Sequence, residues 1–387
     1  MGGSARPVSL WLAGVMALAV LSLQVVPVLA PAIGGGPGLD PAFVGVFNSG
    51  VWAAALAGTL AAPRLLARVD AWWLTRGCMV LCAFGVACVA SGHIAGLIVA
   101  ALLIGLAQGI EGPTASHLLA AHVSAPSRAL WFSVKQSGVQ VGAIVASFSL
   151  PFLAALVGWR MAAFAVVLLA ASGALLLNRP ARRHAVASAA HAGGGGAGVL
   201  SQLRASAVLR MLALAAAAFG SMQIVLNGFF VSYAVHERNS SLVQAGAWLG
   251  AAQVGGLVGR IAWGWLAVRL GAIMPVLLAL GLTMSACSLL LGLHGPQWAL
   301  LVAFGLSASG WNGILLAEVA RQAPQGQTAA ATAAVLVLMT IGLVAGPLAY
   351  SAVAARYSFA TAFVAWCGVG LVGVAGLLRA QFIQSRS

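Results

Sequence analysis

Charged side chains are scarce in this sequence of 387 residues. Lysine, arginine, aspartate and glutamate together account for 6% of the chain, and only five residues are acidic. A soluble domain has about 25% charged residues, and so few charges cannot form a surface that faces water. The composition therefore excludes an ordinary soluble protein and indicates that a lipid bilayer is the main solvent of the chain.

Features of an enzyme or of a cofactor-dependent protein are also missing. No phosphate-binding P-loop is present, which excludes ATP as the direct energy source. No nucleophile elbow, His-Glu-x-x-His sequence or cysteine-rich metal motif indicates a catalytic centre. The five cysteines lie inside apolar segments without a loop partner or a metal-ligand neighbour, and we interpret them as small apolar side chains. We expect no cofactor, no metal and no enzymatic activity.

Long apolar segments make up most of the chain instead. A spanning helix needs roughly 20 apolar residues, and in lipid a helix satisfies its own backbone polar groups. We therefore predict an all-α membrane protein with twelve transmembrane helices. The predicted spans are residues 8–33, 41–62, 73–92, 94–121, 129–155, 160–178, 208–234, 241–267, 272–293, 297–321, 327–354 and 358–379.

The second half of the chain repeats features of the first half in the same order. The sequence Gly-Ile-Glu-Gly at 109–112 corresponds to Gly-Trp-Asn-Gly at 310–313, and the Ser-x-Gln of 22–24 corresponds to that of 221–223. Many transporters consist of two such halves around a central site that opens to alternate sides.

Domain boundaries follow from this repeat and from one break in composition. A basic stretch followed by four consecutive glycines separates the halves and is typical of a flexible linker. We predict an amino-terminal six-helix bundle over 1–178, a cytoplasmic linker over 179–207 and a carboxy-terminal six-helix bundle over 208–387.

The distribution of basic residues predicts the orientation in the membrane. With twelve spans and both termini inside, sixteen of the nineteen lysine and arginine residues lie in or near cytoplasmic segments. Only Arg160, Arg238 and Arg356 lie on the opposite side. This is the positive-inside bias, and it predicts a multi-pass protein of the bacterial inner membrane with both termini cytoplasmic. Because no basic surface is separate from the membrane flanks, we expect no nucleic-acid partner.

Two motifs resemble those of a known transporter family. The fourth span and its loop, with Gly-Leu-Ala-Gln-Gly at 105–109, Gly-Pro at 112–113 and Pro-Ser-Arg-Ala at 126–129, resemble a glycine-rich fourth-helix signature. Residues 259–271 resemble the cytoplasmic loop motif Gly-x-Leu-Ala-Asp-Arg-x-Gly. Both motifs belong to the major facilitator superfamily, and the resemblance covers essentially the whole chain. It implies two pseudo-symmetric six-helix bundles and secondary transport.

The loop motif departs from the family pattern at one position. The motif aspartate is Val268 here and Ala67 in the first-half copy, whereas in the family this aspartate helps to latch the two halves in one state. Asp70 is a candidate substitute. From the resemblance we assign a gating or loop role to Arg68, Arg128 and Arg269.

The fifth span indicates a branch of the family. Residues 132–139, Phe-Ser-Val-Lys-Gln-Ser-Gly-Val, resemble the cyanate-permease-like bacterial branch. They lack the glycine- and proline-rich motif that is typical of proton-coupled drug exporters. Arg260, in the loop motif near the end of the eighth span, is interpreted as a motif or interface residue, and Glu318 is expected to pair with Arg321.

Two ionisable residues lie well inside predicted spans. Each costs about 2.5–3.5 kcal/mol at the centre of an inserted helix, so a functional role is the default hypothesis. Glu111 is either a proton-coupling site, since a buried carboxylate can exchange a proton near neutral pH, or a structural partner of Lys135. Lys135 either binds a substrate anion as a point charge or extends to the membrane surface. Gln136 and Gln140 share one face near it.

A second polar set consists of amides in several spans. An amide in lipid needs a hydrogen-bond partner, so these side chains should face the interior of the bundle. There they either line a polar cavity or bridge two helices. Together with Lys135 and Gln140, we assign them to substrate binding: Gln24, Gln223, Asn227, Gln253 and Asn312.

These observations predict a secondary active transporter. We expect a monomer in the lipid bilayer that moves a small organic or inorganic anion, with symport of a proton through Glu111. Efflux of drug-like apolar or cationic compounds is the first alternative, with Glu111 binding the cation. A non-transporting membrane sensor or scaffold is the second alternative, and it would need a soluble module larger than the linker.

Overall fold

The computed structural model describes residues 5–33, 39–123, 128–176, 196–325 and 327–385. Within these ranges the regular structure is entirely helical. The helices are α1 (Ala5–Leu29), α2 (Pro41–Leu66), α3 (Ala71–Ala90), α4 (Ile94–His122), α5 (Arg128–Val157), α6 (Trp159–Leu176), α7 (Gly196–Ala205), α8 (Ala207–His236), α9 (Leu242–Leu270), α10 (Ile273–His294), α11 (Trp298–Gln322), α12 (Thr328–Arg356) and α13 (Phe359–Gln384).

Twelve of these helices are long, and each corresponds to one predicted span. Eleven of them are long and apolar enough to cross a membrane. The remaining one, α9, has 29 residues but carries Gln244, Gln253 and Arg260, which lower its mean hydropathy. The predicted all-α membrane fold is therefore confirmed.

Helix α7 is the one described helix that the sequence did not predict. It has only 10 residues and is too short to cross a bilayer. It lies inside the stretch 179–207 that was predicted as a linker. The guanidinium of Arg210 donates to the carbonyls of Leu203 and Arg204 at the end of α7, which satisfies two of its last carbonyls. Residues 179–195 of the predicted linker lie outside the described residues.

The chain forms two compact units. The first consists of Met1–Ala189 with Ser240–Gly250, and the second consists of Ala190–Asn239 with Ala251–Ser387. In the first unit α1 packs on α5, α2 packs on α4, and α3 packs on α4 and α6. In the second unit α8 packs on α12 and α13, and α10 packs on α13 and α11.

Glycines permit the closest helix contacts in both units. A Cβ atom added to Gly138 or Gly142 of α5 would collide with the carbonyl of Ala13 or Ala17 of α1. Gly342 of α12 lies in the same way against Ala217 of α8, and Gly346 lies against Ser221. Small residues at this spacing therefore bring the backbones of each pair together.

These contacts also define which positions of the two units are equivalent. Ala13 corresponds to Ala217, and Ala17 corresponds to Ser221. The sequence match paired Ser22 with Ser221 instead, which is more than one helical turn away from Ala17. Gln24 and Gln223 therefore do not occupy equivalent positions, although both carry a buried or half-buried amide.

Candidate substrate and proton site

An ion pair joins the two ionisable residues that the sequence singled out. Nζ of Lys135 on α5 lies 2.7 Å from Oε2 of Glu111 on α4, and both side chains are almost completely buried, with 1% and 2% exposed. Nζ of Lys135 also lies 3.4 Å from Oε1 of Gln136. The sequence left open whether the two residues pair, and the structure shows that they do. Lys135 is turned into the unit and does not extend to a membrane surface.

The turn of α4 that carries Glu111 is anchored to α2. Pro113 has no N–H group, so the carbonyl of Gly109 loses its usual helical donor. The hydroxyl of Thr59 on α2 lies 3.1 Å from this carbonyl oxygen and 2.9 Å from the carbonyl oxygen of Ala55 in its own helix, and it shares its one proton between the two acceptors. Gly109 itself permits the approach, because a Cβ atom at this position would collide with the carbonyl of Ala55. Thr59 therefore fixes the depth of Glu111, and sequence reasoning missed it.

Only one oxygen of the Glu111 carboxylate has a hydrogen-bond partner. Oε2 accepts from Lys135, whereas Oε1 is buried and has no partner among the described residues. Two charges in a low-dielectric interior are stable only when their remaining hydrogen-bonding capacity is also satisfied. The carboxylate is therefore neutralised by Lys135 but keeps one oxygen that is free to bind a proton or a donor.

Four buried polar atoms on α1, α2 and α4, besides Oε1 of Glu111, also lack a hydrogen-bond partner within the described part of the chain. Gln24 belongs to the predicted site, whereas the other three residues were missed, although an amide or indole in an apolar span is a visible signal. Gln140 is buried in α5, and no hydrogen bond joins Gln24 to the ion pair. The four atoms are Gln24 Nε2, Asn48 Oδ1, Trp52 Nε1 and Gln108 Nε2.

In the second unit the predicted amides form hydrogen-bonded pairs. Nε2 of Gln253 on α9 donates to Oδ1 of Asn227 on α8 at 2.7 Å. Nδ2 of Asn312 on α11 donates to Oε1 of Gln223 on α8 at 3.3 Å. The two acceptors are one helical turn apart on α8, so both pairs lie on one face of that helix. The structure therefore brings four predicted residues together from three helices.

The accessible surface of α8 indicates that these amides also face open space. Between Ala218 and Ala234 every residue of α8 is buried except Gln223 and Asn227. An amide exposed to acyl chains would lose hydrogen bonds at a cost of several kcal/mol. Gln223 and Asn227 are therefore the partly accessible positions of an otherwise buried stretch of α8. The structure shows that these amides bridge helices, and lining of a cavity stays a prediction.

The residues assigned to the cytoplasmic loops lie at helix ends. Arg68 and Arg269 are exposed, and the guanidinium of Arg269 lies 5.0 Å from the ring centre of Trp265. The side chain of Arg128 lies outside the described residues. Asp70 accepts a hydrogen bond from the backbone N–H of Trp72 at 2.8 Å and caps α3. The carboxylate of Asp70, the candidate substitute for the motif aspartate, is therefore used as a helix cap.

The expected pair of Glu318 and Arg321 on α11 is confirmed. The guanidinium donates to both carboxylate oxygens at 2.7 and 2.8 Å. Gln322 of the same helix and Gln384 of α13 also donate to Glu318. Four donors therefore surround this buried carboxylate, and they join the end of α13 to α11.

Comparisons with known proteins agree with this architecture. The family model described as Major Facilitator Superfamily matches residues 10–347. No curated protein matches the chain in sequence. Among solved structures, the nucleoside transporter NupG superposes with a TM-score of 0.79 at 15% identity, and the match covers 96% of this chain and 98% of that chain.

Two further structures show the same fold. A bacterial homologue of the human lysosomal transporter Spinster, in an inward-facing and occupied conformation, gives a TM-score of 0.78 at 15% identity, with 98% of this chain and 97% of that chain covered. The E. coli fucose:proton symporter FucP gives 0.60 at 18% identity, with 97% and 99% covered. At such identities the similarity concerns the fold alone.

Proposed function

Because the chain belongs to the major facilitator superfamily, we propose that it is a secondary transporter that carries a small anion together with a proton by alternating access. The buried ion pair of Glu111 and Lys135 carries this proposal. A proton reaches Oε1 of Glu111, the carboxyl oxygen without a partner, and an anion then takes the place of the carboxylate at Lys135.

Charge balance makes the two binding events depend on each other. With Glu111 ionised, the pair has no net charge and Lys135 has no capacity for a second anion. Protonation of Glu111 forms an O–H bond at Oε1 and leaves the Lys135 ammonium without a counter-ion. A bound monoanion then restores neutrality. A proton alone or an anion alone leaves one uncompensated buried charge, which is strongly unfavourable.

The amides of the second unit supply neutral hydrogen bonding. Gln223, Asn227 and Asn312 are partly accessible, and Gln253 holds Asn227 in place. Such groups bind the uncharged polar part of a solute through donors and acceptors. In the first unit, Gln24 and Gln140 are the corresponding buried amides. We propose that these residues select the solute, while Glu111 and Lys135 couple it to the proton.

Direction and location follow from the same proposal. The excess of basic residues on one side supports a bacterial inner-membrane location with both termini in the cytoplasm. An inward proton gradient then drives import of the anion by symport. Arg68, Arg128 and Arg269 lie at cytoplasmic helix ends and act in gating, and the transporting form is a monomer of the cyanate-permease-like branch.

Uptake into proteoliposomes tests this function. Purified protein should accumulate small carboxylates or inorganic anions when the outside is acidic. Glu111→Gln mimics the protonated carboxyl group, so we expect it to retain anion exchange between the two sides but to lose accumulation driven by the pH gradient. Lys135→Met combined with Glu111→Gln removes both charges without leaving either unpaired, and it should abolish both activities. The absence of any anion flux in the wild-type protein would contradict the proposal.

Efflux of cationic or apolar compounds is the second candidate. The free Oε1 of Glu111 favours it, because a carboxylate oxygen without a donor attracts a cation. Lys135 opposes it, because it already neutralises the carboxylate. Under this alternative, expression raises tolerance of cationic drugs and Glu111→Gln abolishes the tolerance. The same cells should show no change in anion uptake.

A further inference from the structure

A second shielded cation, Arg260 on α9, has no counter-ion among the described residues. The residue lies in the second unit and is only partly accessible, and its Nε atom is buried without a hydrogen-bond partner. No hydrogen bond or ion pair joins its side chain to any residue that the structure describes. An unpaired charge inside a membrane protein is costly, so something outside the polypeptide must compensate it.

The aspartate and glutamate side chains all have partners other than Arg260. The chain has five acidic residues, and all five lie within the described ranges. Each accepts hydrogen bonds from a partner other than Arg260. Asp40 and Asp70 cap α2 and α3, Glu111 binds Lys135, Glu237 accepts from the backbone of Phe359 and Ala360 at the start of α13, and Glu318 binds Arg321.

The other shielded cations differ from Arg260 in this respect. Among the described lysine and arginine side chains, four are not exposed: Arg76, Lys135, Arg238 and Arg260. Arg76 lies over the ring of Trp73. Arg238 donates to the hydroxyl of Tyr233 and to the carbonyl of Gly292. Lys135 is neutralised by Glu111. Arg260 is thus the shielded cation whose charge remains available.

The position of Arg260 on α9 directs it away from lipid. Four exposed apolar side chains in the middle of α9 form one stripe, with Val254, Val258, Ile261 and Trp265 at 43, 52, 71 and 58% exposure. At about 100° per residue, Arg260 lies roughly 100° or more away from each of these four, and about 80° from Val268 and Leu270 at the end of the helix. Ten residues, or about 15 Å of helix, separate it from the end of α9 at Leu270. A lipid phosphate at that end is therefore poorly placed as its counter-ion.

Arg260 instead shares a stripe with the amide pairs. Gln253 precedes it by two helical turns, which places both residues within about 20° of each other and about 10 Å apart along the axis. Gln253 donates to Asn227, one of the two accessible amides of α8. Arg260 and Gln253 therefore share one face of α9, and Gln253 joins that face to Asn227 of α8.

We propose that Arg260, a shielded guanidinium without a protein counter-ion on the same helical stripe as the amide pairs, binds the carboxylate group of the transported solute. The inference rests on the proposed function in one respect, that the solute is an anion, and it differs from that proposal in assigning the carboxylate to Arg260 and not to Lys135. A guanidinium presents two parallel N–H donors that match the two oxygens of a carboxylate. The substrate class is a small carboxylate that also carries a neutral polar group for the amides.

Thermal unfolding of the purified protein in detergent tests this assignment without transport. The probes are acetate, malonate, lactate and benzoate, with acetamide and lactamide as uncharged controls and chloride and phosphate as inorganic anions. At least one carboxylate should raise the unfolding temperature of the wild-type protein, because a ligand that binds only the folded state stabilises it. The uncharged amides and the inorganic anions should have no such effect.

The variant Arg260→Gln separates binding from a structural role. We expect its unfolding temperature without ligand to be unchanged or higher, because the substitution removes an uncompensated buried charge. The carboxylate-dependent rise should disappear. Arg260→Lys keeps the charge without the planar fork and should bind roughly tenfold or more weakly. Arg379→Gln, an exposed arginine of α13, is the matched control and should behave like the wild-type protein.

Three outcomes would overturn the assignment. The first is an Arg260→Gln variant with a lower unfolding temperature that keeps the carboxylate effect, which would make Arg260 structural. The second is an effect that depends on Arg260 with phosphate or chloride and not with carboxylates. The third is carboxylate uptake that persists in Arg260→Gln but is lost in the double variant of Lys135 and Glu111, in which case the proposed transport function stands and the role of Arg260 fails. A wild-type protein that binds and moves no anion contradicts both.

Discussion

At the scale of single residues, the two units contain different kinds of polar interaction. The first unit has a buried ion pair between Glu111 and Lys135, whereas the second has two neutral amide pairs. Removing one partner of a buried ion pair typically costs 3–5 kcal/mol, because the other charge remains buried. Removing one amide leaves a neutral polar group and costs about 1–3 kcal/mol. The first unit is therefore far more sensitive to a single substitution at its polar centre.

The pairing of Gln253 with Asn227 leads to a prediction about additivity. We expect Gln253→Leu and Asn227→Leu each to lower the free energy of unfolding by about 1–3 kcal/mol, because each leaves the other amide without its partner. The double substitution should cost less than the sum of the two, since contacting residues show an interaction energy. Thermal unfolding of the purified variants measures this.

The amide pair of Gln223 and Asn312 provides a control for this comparison of single and double substitutions. Asn227 and Asn312 belong to different pairs. The losses of unfolding free energy in Asn227→Leu and Asn312→Leu should therefore be closer to additive than the losses in Gln253→Leu and Asn227→Leu. Full additivity for Gln253 and Asn227 would show that their hydrogen bond contributes no stability.

At the scale of helices, the position of Glu111 depends on how α4 is held by α2. Pro113 removes one hydrogen bond from α4, and Thr59 of α2 supplies a donor to the free carbonyl of Gly109. Gly105 and Gly109 bring the two backbones together, because a Cβ atom at either position would collide with α2. A proline that would break an isolated helix is thus tolerated through a neighbouring helix.

Replacing this donor should destabilise the first unit. Thr59→Val keeps the volume of the side chain but leaves the Gly109 carbonyl without a donor, so we expect a loss of about 1–3 kcal/mol in unfolding free energy. Transport that depends on the pH gradient should also fall, because Glu111 lies half a turn from Gly109. Denaturation in detergent and uptake into proteoliposomes provide the two measurements.

Thr340→Val is the matched control for Thr59. Thr340 is partly exposed on α12 and donates only within its own helix, to the carbonyl of Leu336 at 2.9 Å. That carbonyl belongs to a helix without a proline at the following turn, so it keeps its backbone donor. Equal effects of the two substitutions would show that the bond between α2 and α4 has no special role.

At the scale of the whole molecule, the asymmetry of basic residues predicts one orientation. The short connections between α8 and α9 and between α12 and α13 carry few basic residues, whereas the ends near Arg68, Arg269 and Arg321 carry many. Basic segments remain in the cytoplasm when a membrane protein inserts. Both termini and the region of α7 should therefore be cytoplasmic.

Reporter fusions measure this orientation directly. Alkaline phosphatase fused after residue 239, between α8 and α9, should be active, since that enzyme needs the periplasm. The same enzyme fused to the carboxy terminus should be inactive, whereas green fluorescent protein should fluoresce there. The reversed pattern would contradict the predicted topology and with it the direction of proton-driven import.

Several features of the fold and the site were predictable from sequence because they depend on local composition. Twelve apolar segments and their breaks define the long helices, since lipid forces each segment to satisfy its own backbone. Glu111, Lys135 and the amides stood out because polar atoms are rare in such segments. Arg321 and Glu318 were predicted as a pair because residues three apart lie on one helical face.

Other features depended on contacts between helices that are distant in sequence. The repeat was visible, but the glycine contacts relate Ala17 to Ser221, whereas the sequence match relates Ser22 to Ser221. Thr59 and Asn48 were missed because a single polar residue gives no indication of its partner. Arg260 was interpreted as a motif residue, because a sequence motif does not show which charged side chains lie near a residue in the fold.

The sequence by itself determined the solvent of this protein, its helices and its family, because apolar length and short motifs are properties of the chain alone. Only the tertiary structure decided that Lys135 is neutralised by Glu111, that the amides join in pairs, and that Arg260 has no carboxylate beside it. Electrostatic and hydrogen-bonding energies depend on the distance between atoms, and in a helical bundle those distances are set by the packing of segments far apart in the chain.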